Sequence, residues 1–212
     1  MRTPWALIGV DLHKAFGRKG GLRIEGAEEL VPLFNDIAEK GFRDEDGPPD
    51  EVLISYEEHQ PGNLFLSKTH NIPDGDTVVI NGRTYKTWPW HGMIGTSEVE
   101  LFDRIDLTLI DAAFRKGFAF HEHPYSAFGG WLMIGSVQYP MSLEQYLAKK
   151  RIGRIKVCGL TFDFCAGETA LEGAMKQFDV TMLKYLTKSY SKQMEEIMMK
   201  KLVAAGVKIV GE

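Results

Sequence analysis

Short apolar, β-branched runs alternate along this chain with segments of helical period, and this alternation constrains the fold more than any other feature. The N-terminal part predicts a strand at Trp5–Val10, then a helix over residues 27–39 and a strand over residues 51–55. The C-terminal part predicts helices over residues 142–149, 167–176 and 192–205, alternating with strands over residues 155–160, 180–183 and 207–210. Such alternation is typical of the α/β class. The sequence therefore predicts a Rossmann-like parallel sheet of about six strands with helices on both faces.

The length and composition of the chain limit its organisation and its partners. A chain of 212 residues, 44% of them hydrophobic, is long enough for one well-packed domain spanning residues 1–212. A net charge of −4 with scattered Lys and Arg argues against nucleic acid as a partner. The apolar runs are of strand length, far below the roughly 20 residues that span a bilayer, and the N-terminus has no signal-peptide pattern. We therefore expect a cytoplasmic protein without a membrane anchor, in which the two cysteines stay reduced.

Three residues with chemical potential follow predicted strands, which is where a parallel sheet places its ligand sites. They are Asp11, Lys116 and Cys165. Taken singly, they are most simply a turn former, a surface lysine and a buried apolar thiol. Taken together, they supply a base, a cation and a nucleophile, and the helix that Cys165 opens should lower its thiol pKa further. The second cysteine, Cys158, lies inside an apolar strand and is interpreted as structural.

A second set of residues has the composition of a metal site. Glu57 and His59 lie two residues apart at a strand end, and His91 follows in a Trp-Pro-Trp-His segment. One carboxylate and two imidazoles suit a transition ion with an open coordination position. The alternative is a solvated polar stretch and a packed aromatic turn. The Glu57–His59 segment and the segment that contains His91 lie at the two edges of residues 60–95. This stretch is rich in Gly, Pro and Asn and predicts long loops over the sheet.

Four segments of the chain resemble the isochorismatase-like superfamily of cysteine hydrolases, and within it the nicotinamidases and pyrazinamidases. They are VCGLTFDFCAGETALEGAMKQFDVTML, FRKGFAFHEHPYSAF, TWPWHGMIGT and ISYEEHQPGN. The resemblance extends almost from end to end and implies the superfamily's α/β fold. It also implies hydrolysis of nicotinamide to nicotinate and ammonia through a thioester, in NAD salvage.

The resemblance implies a role for each candidate residue. Cys165 would be the nucleophile, Asp11 its base and Lys116 the cation of the triad. The metal ligands of a divalent ion, with zinc expected, would be Glu57, His59 and His91.

The resemblance also implies features around the nucleophile. A cis peptide at Leu160–Thr161 would place a backbone amide that forms an oxyanion hole together with the amide of Cys165. The pyridine pocket would be lined by Phe16, Trp88 and Tyr125. The expected partners are a small-molecule amide substrate and further copies of the chain in a homo-oligomer.

The chain departs from the pattern of these hydrolases around the triad. His13 stands where a glutamine is usual, Ala15 and Glu57 stand where aspartates are usual, and Glu58 stands where a tryptophan is usual. Two alternatives to a nicotinamidase therefore stay open. One is a related hydrolase of another small amide, such as a carbamoyl compound or a ureide. The other is a catalytically silent member that acts as a binding subunit.

Overall fold

The computed structural model of the chain describes residues 3–42, 47–121 and 124–211. The strands are β1 Trp5–Val10, β2 Glu51–Glu57, β3 Thr77–Ile80, β4 Arg83–Lys86, β5 Ala112–Lys116, β6 Trp131–Ile134, β7 Val137–Ser142, β8 Arg154–Leu160, β9 Asp179–Lys188 and β10 Lys208–Val210. The α-helices are α1 Leu30–Lys40, α2 Ser67–His70, α3 Leu143–Lys149, α4 Cys165–Met175 and α5 Lys192–Ala204. None of the described helices combines the length and the apolar composition needed to cross a bilayer.

Eight of the strands form one mixed sheet in the order β10-β9-β8-β1-β2-β5-β6-β7. The six from β10 to β5 pair in parallel, while β6 and β7 extend the sheet in antiparallel fashion. The predicted α/β class and the six parallel strands are confirmed, and the sheet is larger than predicted by two strands. Strand β6 is an apolar run of only four residues, and β7 is mostly exposed and mixes apolar with polar residues, so neither carries the longer apolar run that marks a buried parallel strand.

Helices cover both faces of the sheet, as predicted. Helix α1 buries Leu30, Phe34 and Ile37 against one face, at the spacing of a single helical stripe. Helices α3, α4 and α5 pack on the other face, where Leu147, Ala170 and Leu202 join the core. Every residue of β1 is buried because this strand lies in the middle of the sheet with a core on each side.

The loops predicted over residues 60–95 contain regular structure as well. Helix α2 begins at Ser67, and β3 and β4 form a separate antiparallel hairpin. Its turn is Asn81-Gly82, with φ angles of 50° and 76°. An Asn-Gly pair is the strongest short-range hairpin signal, and it marks this hairpin in the sequence.

The connections of the sheet fix the position of the site. From β1 the chain proceeds to β2 and β5 on one side, and it later returns to place β8 against the opposite edge of β1. Adjacent strands whose connections leave in opposite directions form a crevice beyond their carboxyl ends. In this molecule the crevice lies beyond β8 and β1.

Candidate active site

Four neighbouring strands each deliver one reactive side chain to this crevice. Cys165 is the first residue of α4, shortly after β8, and Asp11 follows β1 directly. Glu57 and Lys116 are the last residues of β2 and β5. Because β8, β1, β2 and β5 are consecutive in the parallel sheet, their carboxyl ends meet at one edge.

The structure brings the three proposed triad residues into contact. Nζ of Lys116 lies 2.9 Å from Oδ2 of Asp11 and 3.5 Å from Sγ of Cys165. A fourth group joins them, because Oε1 of Glu57 lies 2.5 Å from the same Nζ and 3.5 Å from Sγ. All four side chains are buried. The sequence placed Glu57 only among the metal ligands, whereas its carboxylate also contacts the triad.

Burial and neighbouring charges set the protonation of the acid and the cation. Burial raises the pKa of Asp11 to about 7, with Lys116 acting against the rise and Glu57 adding to it. Burial alone would lower the pKa of Lys116, but the negative charges of Asp11, Cys165 and Glu57 outweigh it and raise that pKa. Lys116 is therefore a permanent cation, and Asp11 can exchange a proton near neutral pH.

The nucleophile differs from its sequence-based prediction. Burial raises the pKa of the Cys165 thiol well above its ordinary value, and the charge of Glu57 raises it further, while Lys116 acts in the opposite direction. The prediction that the start of α4 would lower this pKa is therefore wrong, because desolvation and two carboxylates dominate. Cys165 is a neutral thiol at rest and needs a base when substrate is bound. The other cysteine, Cys158, is completely buried in β8, in keeping with its structural interpretation.

Glu57, His59 and His91 lie together immediately beside the triad. Nε2 of His59 is 3.6 Å from Oε2 of Glu57, and Nε2 of His91 is 3.3 Å from the same oxygen. Nδ1 of His59 lies 2.9 Å from the carbonyl oxygen of Gly117, and Nδ1 of His91 lies 2.7 Å from that of Pro89. A carbonyl only accepts, so each Nδ1 carries a proton, and the Nε2 atom of each ring faces the carboxylate.

This donor set fits a divalent metal ion. Two imidazole nitrogens and a carboxylate oxygen that face one another in a buried space are the donor atoms that suit a transition ion. The edge of a zinc tetrahedron with bonds of about 2.0–2.1 Å is roughly 3.4 Å, close to the two distances from Oε2 of Glu57. The three side chains are buried, so the alternative of a solvated polar stretch is wrong.

The backbone at Gly117 makes room for one of these imidazoles. A Cβ atom at this position would lie 2.7 Å from the His59 ring, and the residue has a φ of +75°. Only glycine allows the chain to turn here and still accept the hydrogen bond from His59.

A narrow, largely apolar pocket opens beside Cys165. Phe16, Trp88 and Tyr125, predicted from the resemblance, border it. The structure adds four lining residues that the sequence did not indicate: Leu22, Ile24, Phe164 and Tyr190. Only the two aromatic residues offered a signal, since Phe164 directly precedes the nucleophile and Tyr190 follows a strand.

Trp88 is the centre of the aromatic wall. Its Nε1 donates to the hydroxyl of Tyr125 at 3.1 Å. Its ring packs edge-on against Phe164 and Tyr190, with centroids 4.9 and 5.6 Å away. These contacts hold the rings in a fixed, edge-to-face cluster.

The polar end of the pocket lies at the nucleophile. Thr161 and Cys165 both border it, and the Leu160–Thr161 peptide bond is cis. Glu57 and His91 border the same end. A carboxamide placed there would therefore meet the thiol, the backbone of the turn and two of the candidate metal ligands together.

Two departures from the pattern of the resembling hydrolases have structural partners. His13 is completely buried, and its Nδ1 donates to the carbonyl of Glu98 at 2.9 Å while its Nε2 accepts the backbone N–H of Glu57 at 3.3 Å. Burial lowers the pKa of His13 to about 4, so the ring is neutral. Glu58 forms an ion pair with Arg115 at 2.8 Å.

Comparison with known proteins identifies similar sequences and structures. The family model of the isochorismatase domain matches residues 6–211. A nicotinamidase from Acinetobacter baylyi is 28% identical over 170 residues, covering 80% of this chain and 74% of that protein.

Two solved structures share the fold. The Acinetobacter baumannii nicotinamidase/pyrazinamidase superposes with a TM-score of 0.84 at 23% identity, covering 99% of this chain and 97% of that one. The Pyrococcus horikoshii pyrazinamidase, solved in complex with zinc, gives 0.74 at 20% identity and covers 98% of this chain and 99% of its own.

Proposed function

The chain belongs to the isochorismatase family, and from that premise we propose that it is an amidohydrolase that converts nicotinamide to nicotinate and ammonia. The observation that carries the proposal is the buried contact of Asp11, Lys116 and Cys165 at the polar end of an aromatic pocket. Relatives named nicotinamidase support the choice of substrate.

The first half of the reaction uses the triad. Asp11 takes the proton of the Cys165 thiol, and the thiolate attacks the carboxamide carbon. Lys116 stays charged and stabilises the negative charge that forms beside it. The backbone amides of Thr161 and Cys165 donate to the oxyanion. The proton then passes from Asp11 to the leaving nitrogen, so ammonia departs and a thioester remains.

The second half returns the enzyme to its starting state. Asp11, now ionised again, accepts a proton from water as the water oxygen attacks the thioester carbon. Asp11 then returns that proton to the departing sulfur, which frees the thiol, and the nicotinic acid that is released loses its own proton to solvent as nicotinate. Glu57, His59 and His91 would hold a divalent ion, for which we propose zinc. Such an ion would supply a Lewis acid at the polar end of the pocket.

The pocket walls favour an aromatic amide over the other small amides. Carbamoyl compounds and ureides carry several hydrogen-bonding groups, which would lose water without replacement against Leu22, Ile24, Trp88 and Phe164. A flat pyridine ring instead buries its faces against aromatic edges. The contacting triad also argues against a silent binding subunit.

Release of ammonia from nicotinamide by the purified protein tests the proposal. We expect turnover by the wild type, none by Cys165→Ala, and turnover by Cys158→Ala, which removes the other thiol outside the pocket. Release from a carbamoyl compound or a ureide, but not from nicotinamide, would favour the alternative hydrolase. Release from no amide would favour the binding subunit.

A further inference from the structure

Glu98 lies in a short 3-10 turn, Ser97–Val99, and none of the roles above uses it. Its carboxylate accepts two backbone N–H groups, with Oε1 2.8 Å from the nitrogen of Gly21 and Oε2 2.8 Å from the nitrogen of Gly92. Its own carbonyl accepts Nδ1–H of His13 at 2.9 Å. Glu98 therefore joins Gly92, six residues away, to Gly21 and His13, which are 77 and 85 residues away.

Each of the two side-chain bonds reaches a backbone group next to a functional residue. Gly92 follows His91, one of the proposed metal ligands, and Gly21 precedes Leu22, which forms a wall of the pocket. The two loops already touch, because a Cβ atom on Gly21 would lie 2.0 Å from the carbonyl oxygen of Trp90. The carboxylate of Glu98 therefore joins the loop of the candidate metal ligand His91 to the loop that carries the pocket wall residue Leu22.

The backbone carbonyl of Glu98 provides a connection to Glu57, a second proposed metal ligand. The His13 ring that donates to Glu98 accepts, through Nε2, the backbone N–H of Glu57 at 3.3 Å. The backbone N–H groups of Glu57 and Gly92 are thus connected through the His13 ring and Glu98.

A carboxylate is the side chain that suits this position. Both of its oxygens accept, and a charged acceptor makes hydrogen bonds roughly twice as strong as a neutral one. Glutamine has the same size, but it has one accepting oxygen and an NH₂ group that would face an N–H. Glu98→Gln therefore keeps the packing and loses one of the two bonds.

We propose that Glu98 is a positioning residue that fixes the His91 loop relative to the Leu22 wall of the substrate pocket. This inference rests on the proposed function in one respect: the proposed function assigns metal binding to the His91 loop and substrate binding to the Leu22 loop. Glu98 touches neither the thiol nor the substrate, so its effect should fall on affinity rather than on the nucleophile.

The test compares Glu98→Gln with Glu100→Gln, which makes the same change of charge two residues away, where Glu100 pairs with Lys14 on the surface. In Glu98→Gln we expect zinc affinity, measured against a chromogenic chelator, to fall about 10-fold or more, as is typical when a group that orients a ligand is lost. We expect KM for nicotinamide to rise more than kcat falls, and iodoacetamide to modify Cys165 at a rate within about twofold of the wild type. Glu100→Gln should match the wild type in all three measurements.

Hydrogen–deuterium exchange on metal-free protein separates this inference from the proposed function. Amides in peptides covering residues 17–24 and 89–96 should exchange faster in Glu98→Gln than in Glu100→Gln. This result is readable even if the wild type hydrolyses no nicotinamide or binds no zinc. Glu98→Asp, which keeps the charge but is too short to reach both nitrogens, repeats the measurement if the glutamine variant does not fold.

Equal exchange in the Glu98 and Glu100 variants would overturn the proposal. So would unchanged zinc affinity and KM in a Glu98→Gln protein prepared from a wild type that binds zinc and turns over nicotinamide. A loss of Cys165 reactivity that parallels a general drop in thermal stability would also overturn it, because the residue would then serve the fold as a whole.

Discussion

Replacing His13 with glutamine should remove a large part of the acid sensitivity of the fold while preserving its hydrogen bonds. The His13 ring is buried, donates to the carbonyl of Glu98 and accepts the N–H of Glu57. A glutamine amide can make both bonds, since it carries one donor and one acceptor, but it does not titrate. The variant therefore isolates the proton that the histidine must take up at low pH.

The magnitude follows from the depressed pKa. Burial lowers the pKa of His13 from 6.5 to about 4 in the folded state. The folded protein holds the ring neutral, so its contribution to stability is fully present above pH 6.5 and is lost as the pH falls through 4. The difference corresponds to about 3 kcal/mol of unfolding free energy. The unfolded chain takes up this proton between those two pH values, whereas the folded chain does not.

Urea unfolding of both proteins at about pH 7.5 and about pH 4, with chelator present, measures the effect. The chelator keeps metal binding out of the comparison, and the other titrating groups are common to both proteins. We expect the unfolding free energy of the wild type, relative to His13→Gln, to fall by about 3 kcal/mol between the two pH values. A difference that is the same at both pH values would refute the argument that the fold excludes this proton.

Three further predictions concern the active site. The kcat/KM for nicotinamide should rise with pH around a midpoint near 7 and reach a plateau above it, because only ionised Asp11 accepts the thiol proton. A flat pH profile in initial-rate assays would contradict this prediction. Iodoacetamide at neutral pH should modify Cys165 well before Cys158, because only Cys165 borders the pocket and has a base beside it; peptide mass spectrometry showing equal labelling would remove the nucleophile assignment. Protein purified without chelator should carry stoichiometric metal that the His59→Ala, His91→Ala double variant loses; elemental analysis finding none in an active wild type would leave a triad that works without the ion.

The sequence predicted the parallel core because buried parallel strands carry continuous apolar runs between amphipathic helices. It missed β6 because its apolar run is only four residues long, and it missed β7 because this exposed strand mixes apolar with polar residues. It also missed the pocket walls Leu22 and Ile24, which lie in a loop without regular structure. Residues of this kind acquire a function only through the tertiary fold, so no local pattern marks them.

The electrostatics of the site were the hardest property to predict from the sequence. The residue types at Asp11, Lys116 and Cys165 indicated a triad, but the pKa of the thiol moved opposite to the prediction. Residue types do not report how completely a group is desolvated, nor that the longer side chain of Glu57 reaches both the lysine and the thiol. Burial and a second carboxylate therefore outweighed the helix terminus.

The site joins residues that are far apart along the chain. Lys116 and Cys165 are separated by 49 positions, Glu57 and Lys116 by 59, and Glu57 and Cys165 by 108. Forming contacts between residues so far apart in the sequence costs loop-closure entropy. Parallel sheets, which depend on such contacts, therefore fold slowly. During synthesis, the pocket cannot exist until β8 and Cys165 have left the ribosome and β8 has paired with the much earlier β1. Enzymatic competence is therefore among the last properties this chain acquires.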